Sequence, residues 1–148
     1  MSEKEPIRVF VSHVFSESDD YLRIFEYLES VENFFYLNVS RPEDMPSGSA
    51  DAFKDTLLAQ IKESEVILML GSIYEQKADW AQYQIEAAKA NNIPVIAVNG
   101  FGGTIVLHKR LLDQADTVVD WNAREIVDAI RNKGRDQDTN RWEVIDFP

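Results

Sequence analysis

Five consecutive residues, Val66-Ile-Leu-Met-Leu70, carry no polar side chain. A strand with one wet face would alternate, so an unbroken apolar run of this length points to a central parallel strand covered on both sides. Similar β-branched runs recur at Ile7–Ser12 (IRVFVS), Phe34–Val39 (FFYLNV) and Ile93–Val98 (IPVIAV), and Thr117–Val119 offers a short fifth.

Helical spacing fills the gaps between them. Ser18 with Asp19 and Asp20 suits a helix N-cap followed by an acidic first turn. Leu22, Phe25, Leu28 and Val31 follow at helical intervals, as do Phe53, Leu57, Leu58 and Ile61 within Ala52–Ile61. Trp80–Ala90 and Ala123–Ile130 read as two further helices, while Arg41–Ser49 (RPEDMPSGS) is too rich in proline and glycine to be regular. Strands alternating with helices predict an α/β fold, a flavodoxin-like open and mostly parallel five-stranded sheet with helices on both faces. Residues 1–132 are expected to form this domain, with 133–148 as a C-terminal tail whose Trp142, Val144, Ile145 and Phe147 dock back on it. Ligands on such sheets lie beyond the carboxyl ends of the strands. That rule directs attention to Ser12–Ser16, Arg41–Ser49, Gly71–Asp79 and Asn99–Thr104.

Charge and composition exclude several classes of function. A net charge of −11 repels nucleic acid and anionic membranes at long range. No apolar run approaches the roughly 18–20 residues that span a bilayer. The opening MSEKEPIRVF lacks the layout of a secretion signal, and with no cysteine the default setting is cytoplasmic. Neither membrane nor nucleic acid is therefore expected as a partner. A phosphate-bearing small ligand stays open, because backbone amides at helix N-termini bind phosphate without lysine.

Other proteins of this fold are set aside on single residues. A two-component receiver needs an acidic pair after the first strand and an aspartate ending the third; Ser12–His13 and Leu70–Gly71 stand there. His13-Val14-Phe15 is not the hydroxyl-rich phosphate loop of a flavodoxin. Gly100-Phe-Gly-Gly103 follows the fourth strand rather than the first, where a dinucleotide fingerprint belongs, and suits a turn. With His13 and His108 as the only histidines, no zinc site is expected, and no GxSxG elbow supplies a hydrolase nucleophile.

Three segments, in order, resemble the boxes of the Toll/interleukin-1 receptor-like (TIR) family. They are Arg8-Val-Phe-Val-Ser-His13 with Asp19–Asp20, the loop Arg41–Gly48, and Ser64-Glu-Val-Ile-Leu-Met-Leu-Gly-Ser72 followed by Asp79-Trp80-Ala-Gln-Tyr-Gln-Ile-Glu-Ala-Ala88. The last is the most specific, since the family places a glutamate four residues after a tryptophan on the helix following the third strand. The likeness runs from about Ile7 to Ile130 and leans toward the free-standing bacterial proteins of the Thoeris antiphage defence type.

The resemblance implies an enzyme that cleaves NAD between nicotinamide and ribose, as a glycohydrolase or an ADP-ribosyl cyclase. NAD is then a substrate and no cofactor is needed. The product would be a nucleotide signal for a separate effector, and self-association through TIR surfaces is expected. Two departures stand out: the family's frequent cysteine after the tryptophan is Ala81, and its catalytic glutamate is Gln84. Glu86 lies some 200° around the helix from position 84, at about 100° per residue, and reads as solvated. Two accounts of Gln84 stand: replacement of a native glutamate by its isostere to trap a ligand, which the otherwise intact boxes favour, and natural loss of activity.

Ser12, His13, Ser72 and Tyr74 are expected near nicotinamide or ribose, although each also suits local capping. Trp80 walls the cleft or joins the core. Arg41 reaches a phosphate or stays exposed, and Asn99 contacts the ligand or shapes the glycine turn. Two rivals remain: a non-catalytic TIR interaction module, and an enzyme transferring deoxyribose between bases.

Overall fold

A computed structural model of the chain describes residues 5–103 and 106–135. Five strands form one all-parallel sheet in the order β2-β1-β3-β4-β5. The elements are β1 (Ile7–Val11), α1 (Asp19–Glu29), β2 (Tyr36–Asn38), α2 (Ala50–Lys62), β3 (Val66–Leu70), α3 (Gly71–Gln76), α4 (Ala78–Ala90), β4 (Val95–Val98), α5 (Lys109–Gln114), β5 (Thr117–Val119) and α6 (Ala123–Arg135). The fold is the expected flavodoxin-like α/β arrangement.

Every residue of β3 and β4 is buried, which is why both segments read as unbroken apolar runs. Helices α1 and α6 pack together on one side of the sheet and α2 and α4 on the other. Ser18 and Ser49 cap α1 and α2, accepting from the backbone N–H groups of Tyr21 and Ala52. The apolar stripe of α4 is Ala81, Ile85 and Ala88, as its spacing predicts.

The structure differs from the sequence expectation in several places. Helix α1 buries Tyr21, Ile24 and Leu28, whereas Leu22 is 47% exposed. Residues 21, 24 and 28 lie on one face at helical pitch, and Leu22 falls about 100° away from Tyr21. Gly71–Gln76, within the strand-end segment Gly71–Asp79 to which no element was assigned, is helix α3, and Lys109–Gln114, unassigned by periodicity, is α5. Helix α6 runs five residues past Ile130, to Arg135. The expected docking of Trp142, Val144, Ile145 and Phe147 lies outside the described residues, as does Thr104.

Arg135 explains the length of α6. Its Nε and Nη2 donate to the two oxygens of Glu65 at 2.7 and 3.0 Å, and it also donates to the carbonyls of Glu5 and Pro6. The arginine holds the Glu65 carboxyl below the usual glutamate range. A depressed folded-state pKa contributes stability above the unfolded pKa and loses it as pH falls through the folded value. Arg135→Ala should therefore cost about 1–2 kcal/mol near neutral pH, falling in strong acid to the smaller part that its bonds to the Glu5 and Pro6 carbonyls contribute. Urea midpoints of both proteins between pH 3 and 8 check this; a pH-independent difference would rule out the ion pair as its source.

Gly71 joins β3 to α3 without any linker. A Cβ there would sit 2.4 Å from Leu107 Cδ2 and 2.8 Å from the Val98 carbonyl oxygen. The side chain can yield, but the carbonyl belongs to β4. Gly71→Ala is expected to destabilise by about 1–3 kcal/mol in thermal or urea unfolding.

Candidate functional site

The strand order changes direction between β1 and β3, and their carboxyl ends open the crevice where ligands of such sheets lie. Ser12 closes the floor of that crevice. Its backbone N–H donates to the Leu68 carbonyl, and its Oγ accepts from the Leu70 N–H at 2.9 Å. The hydroxyl thus stitches β1 to β3.

His13 is fully buried next to it, with both ring nitrogens engaged. The Phe15 N–H donates to Nδ1 at 3.0 Å, which makes Nδ1 the unprotonated nitrogen and puts the proton on Nε2. Nε2 then donates to Gln60 Oε1 at 2.9 Å. Burial pushes the His13 pKa below its ordinary value, against a smaller opposing pull from the Gln60 hydrogen bond. A neutral imidazole fixed in one tautomer serves as structure rather than as a proton shuttle.

Gln60, 1% exposed on α2, is the hub of this knot. Its Oε1 also accepts from the Arg41 N–H at 2.9 Å, while its Nε2 donates to the Arg41 carbonyl at 3.1 Å. One carboxamide therefore fastens the loop after β1 to the loop after β2. The Arg41 side chain turns elsewhere, donating to Glu63, Asp44 and the Val39 carbonyl.

Gln84 projects from α4 onto the same point, with 0% exposure. Its Nε2 donates to the His13 carbonyl at 2.8 Å. Its Oε1 has no hydrogen-bond partner among the described residues. The carbonyl of His13 fixes which atom of the carboxamide is the nitrogen, since an oxygen facing it would be repelled. One turn earlier on α4, the half-buried Trp80 ring tilts against Phe53 at 6.0 Å. Phe53 in turn meets Phe15 edge-on at 5.3 Å. Gln84 thus lies beneath the end of β1, beside an aromatic row contributed by α4, α2 and the β1–α1 loop.

The remaining expected residues are held on other sides. Ser72 Oγ donates to Asp20 Oδ2 at 2.8 Å, and Asp20 pairs with Arg23 at 2.6 Å. Tyr74 is buried, and its hydroxyl donates to Gln82 Oε1 at 3.0 Å in a network that also binds Gln114. The Asn99 side chain bonds to Asp120, and its carbonyl accepts from Trp121 Nε1. Ser12, His13, Trp80 and Gln84 thus share one neighbourhood, while Ser72 and Asn99 belong to the α1 and α6 side. Glu86 is exposed and accepts from Gln82.

Gln60, Phe15 and Phe53 were not singled out by sequence. For Gln60 a signal existed: a glutamine between Leu57 and Ile61 on the apolar face of α2 must find polar partners once buried.

Among the described residues no helix is long and apolar enough to cross a membrane. The family model described as "Thoeris protein ThsB, TIR-like domain" matches residues 10–101, more than half of the chain. That span begins within β1 and ends at the glycine turn after β4, so it contains every residue placed around the crevice. No curated protein matches the chain.

Proposed function

This chain belongs to the Thoeris ThsB TIR-like family of defence proteins, and from that premise we propose that its crevice binds NAD and belongs to an NAD-cleaving enzyme, a glycohydrolase or ADP-ribosyl cyclase. The observation that carries this reading is the buried Gln84 carboxamide on α4, bonded to the His13 carbonyl just past β1, at the position that the resemblance matches to the family glutamate.

The chemistry explains what that position does. The nicotinamide of NAD is already cationic, so it leaves without an acid while positive charge develops on the ribose. A carboxylate beside the ribose stabilises that charge, as in glycosidases. Water, or a group of the same molecule, then takes the ribosyl centre. Glutamine keeps the shape but not the charge, so this chain binds NAD and turns it over slowly. An active form would release a soluble nucleotide into the cytoplasm for a separate effector, with self-association through TIR surfaces.

One observation favours the rival reading, a non-catalytic interaction module. The amide N–H of Gln84 suits the His13 carbonyl in a way that a carboxylate does not, as expected where glutamine is the working residue. Calorimetric titration of the purified chain separates the readings. Saturable NAD binding carries the enzyme reading, and binding of deoxynucleosides but not NAD points to deoxyribosyl transfer. Binding of neither leaves the interaction module.

A further inference from the structure

Phe15 has a φ of +60°, in the left-handed region that bulky side chains rarely adopt. Such strain persists only where the surroundings enforce it, and it concentrates at ligand sites and switches. Here the enforcement is visible. The Phe15 N–H donates to His13 Nδ1, and its ring stands edge-on to His13 at 5.2 Å and to Phe53 at 5.3 Å. The ring is therefore held in a slot made of aromatic surface. Phe53 continues that slot to Trp80, and Trp80 shares a helix face with Gln84 four residues on.

Gln84 poses a separate puzzle. Its Oε1 is a buried acceptor with no partner among the described residues. Buried polar atoms are nearly always paired, and an orphan calls for an explanation. A ligand reaching Gln84 would supply the missing donor, but the residue is fully buried and its amide is held by the carbonyl of His13, two residues before Phe15.

We propose that the Phe15 ring fills, in the unliganded protein, the place of a planar heteroaromatic ring of a nucleotide ligand. Entry of that ligand swings Phe15 out, stacks the incoming ring on Phe53 and Trp80, and brings a hydroxyl or amide donor to Gln84 Oε1. Phe15 is then the residue that selects which rings enter, since a ligand must outcompete it for the same surface. Leaving the left-handed backbone releases strain and favours the exchange. This inference rests on the NAD-binding reading for the identity of the ligand, but not for the cover over Gln84.

Two measurements on the full chain and on Phe15→Ala test it, with Phe15→Leu as a second variant that keeps apolar bulk without the ring. In ligand-free protein, hydrogen exchange of the Gln84 side-chain amide, followed by NMR, should speed up about tenfold in Phe15→Ala, while the Leu68 backbone amide stays protected. NAD should bind Phe15→Ala about tenfold more tightly by calorimetry, equivalent to about 1.4 kcal/mol. Unchanged Gln84 exchange in both variants overturns the proposal, as does NAD affinity that is unchanged or weaker. Faster exchange with no NAD binding by any of the three proteins retains Phe15 as the cover and overturns the NAD reading instead.

Discussion

Gln84→Glu is expected to consume NAD roughly 10²–10³-fold faster than the parent chain, the scale on which one transition-state electrostatic partner acts. The same substitution exchanges a hydrogen-bond donor for an acceptor at 2.8 Å from the His13 carbonyl, in a site without solvent. Burial and that oxygen both disfavour the carboxylate, so the new acid is held above the usual glutamate pKa. The sign of the pH dependence follows. At low pH the protonated acid donates to His13 much as the amide does, and the variant is about as stable as the parent. As pH rises through the raised pKa, stability relative to the parent is lost while activity appears, because only the ionised form assists the ribosyl cation. Product chromatography across pH 5–9, paired with urea unfolding, follows both trends. Equal and negligible turnover by the two proteins throughout would remove the catalytic reading of position 84.

The largest stability effect is expected at Gln60. Gln60→Leu keeps the volume but strands the His13 Nε2–H, the Arg41 N–H and the Arg41 carbonyl, all paired through one carboxamide. Each buried group left without a partner costs about 1–3 kcal/mol, and partial hydration of the loop offsets some of this. The expected loss is about 3–5 kcal/mol, with a fall in melting temperature on the order of 10 °C. A loss below about 1 kcal/mol would mean that water replaces the amide freely and that the two loops are not locked together.

How far the sequence carried depended on what kind of force places each residue. The strands were readable because β3 and β4 are buried on both faces, and that leaves a compositional mark on VILML and IPVIAV. The stripe of α4 was readable for the same reason. The exposed Leu22 was misleading because hydrophobicity alone does not distinguish two faces of α1 that both carry apolar residues. Helices α3 and α5, of six residues each, are too short for periodicity to declare itself. At the site, the family likeness pointed to Gln84 and Trp80, but not to the closure of Gln84 by the β1–α1 loop. That closure depends on hydrogen bonds between residues 47 and 71 positions apart, His13 to Gln60 and His13 to Gln84. No local pattern records such pairings. Ser72 and Asn99 were rightly placed at strand ends, yet strand ends have two sides, and only the helices packed there decide which side a residue serves.

The grip of Arg135 on the carbonyls of Glu5 and Pro6 brings the last turn of α6 to the start of β1, at the end of the sheet opposite the crevice. A short peptide joining residue 5 to residue 135 would therefore lie at that end of the sheet, away from the crevice, and close the described fold into a ring. Such a ring could be reopened at the Asn91–Asn92 turn, where Asn92 is exposed, which lies at the same end, ahead of β4. The permuted chain would make β4, β5 and α6 before β1. Retention of its fold would show that the order of synthesis is incidental to how the crevice forms.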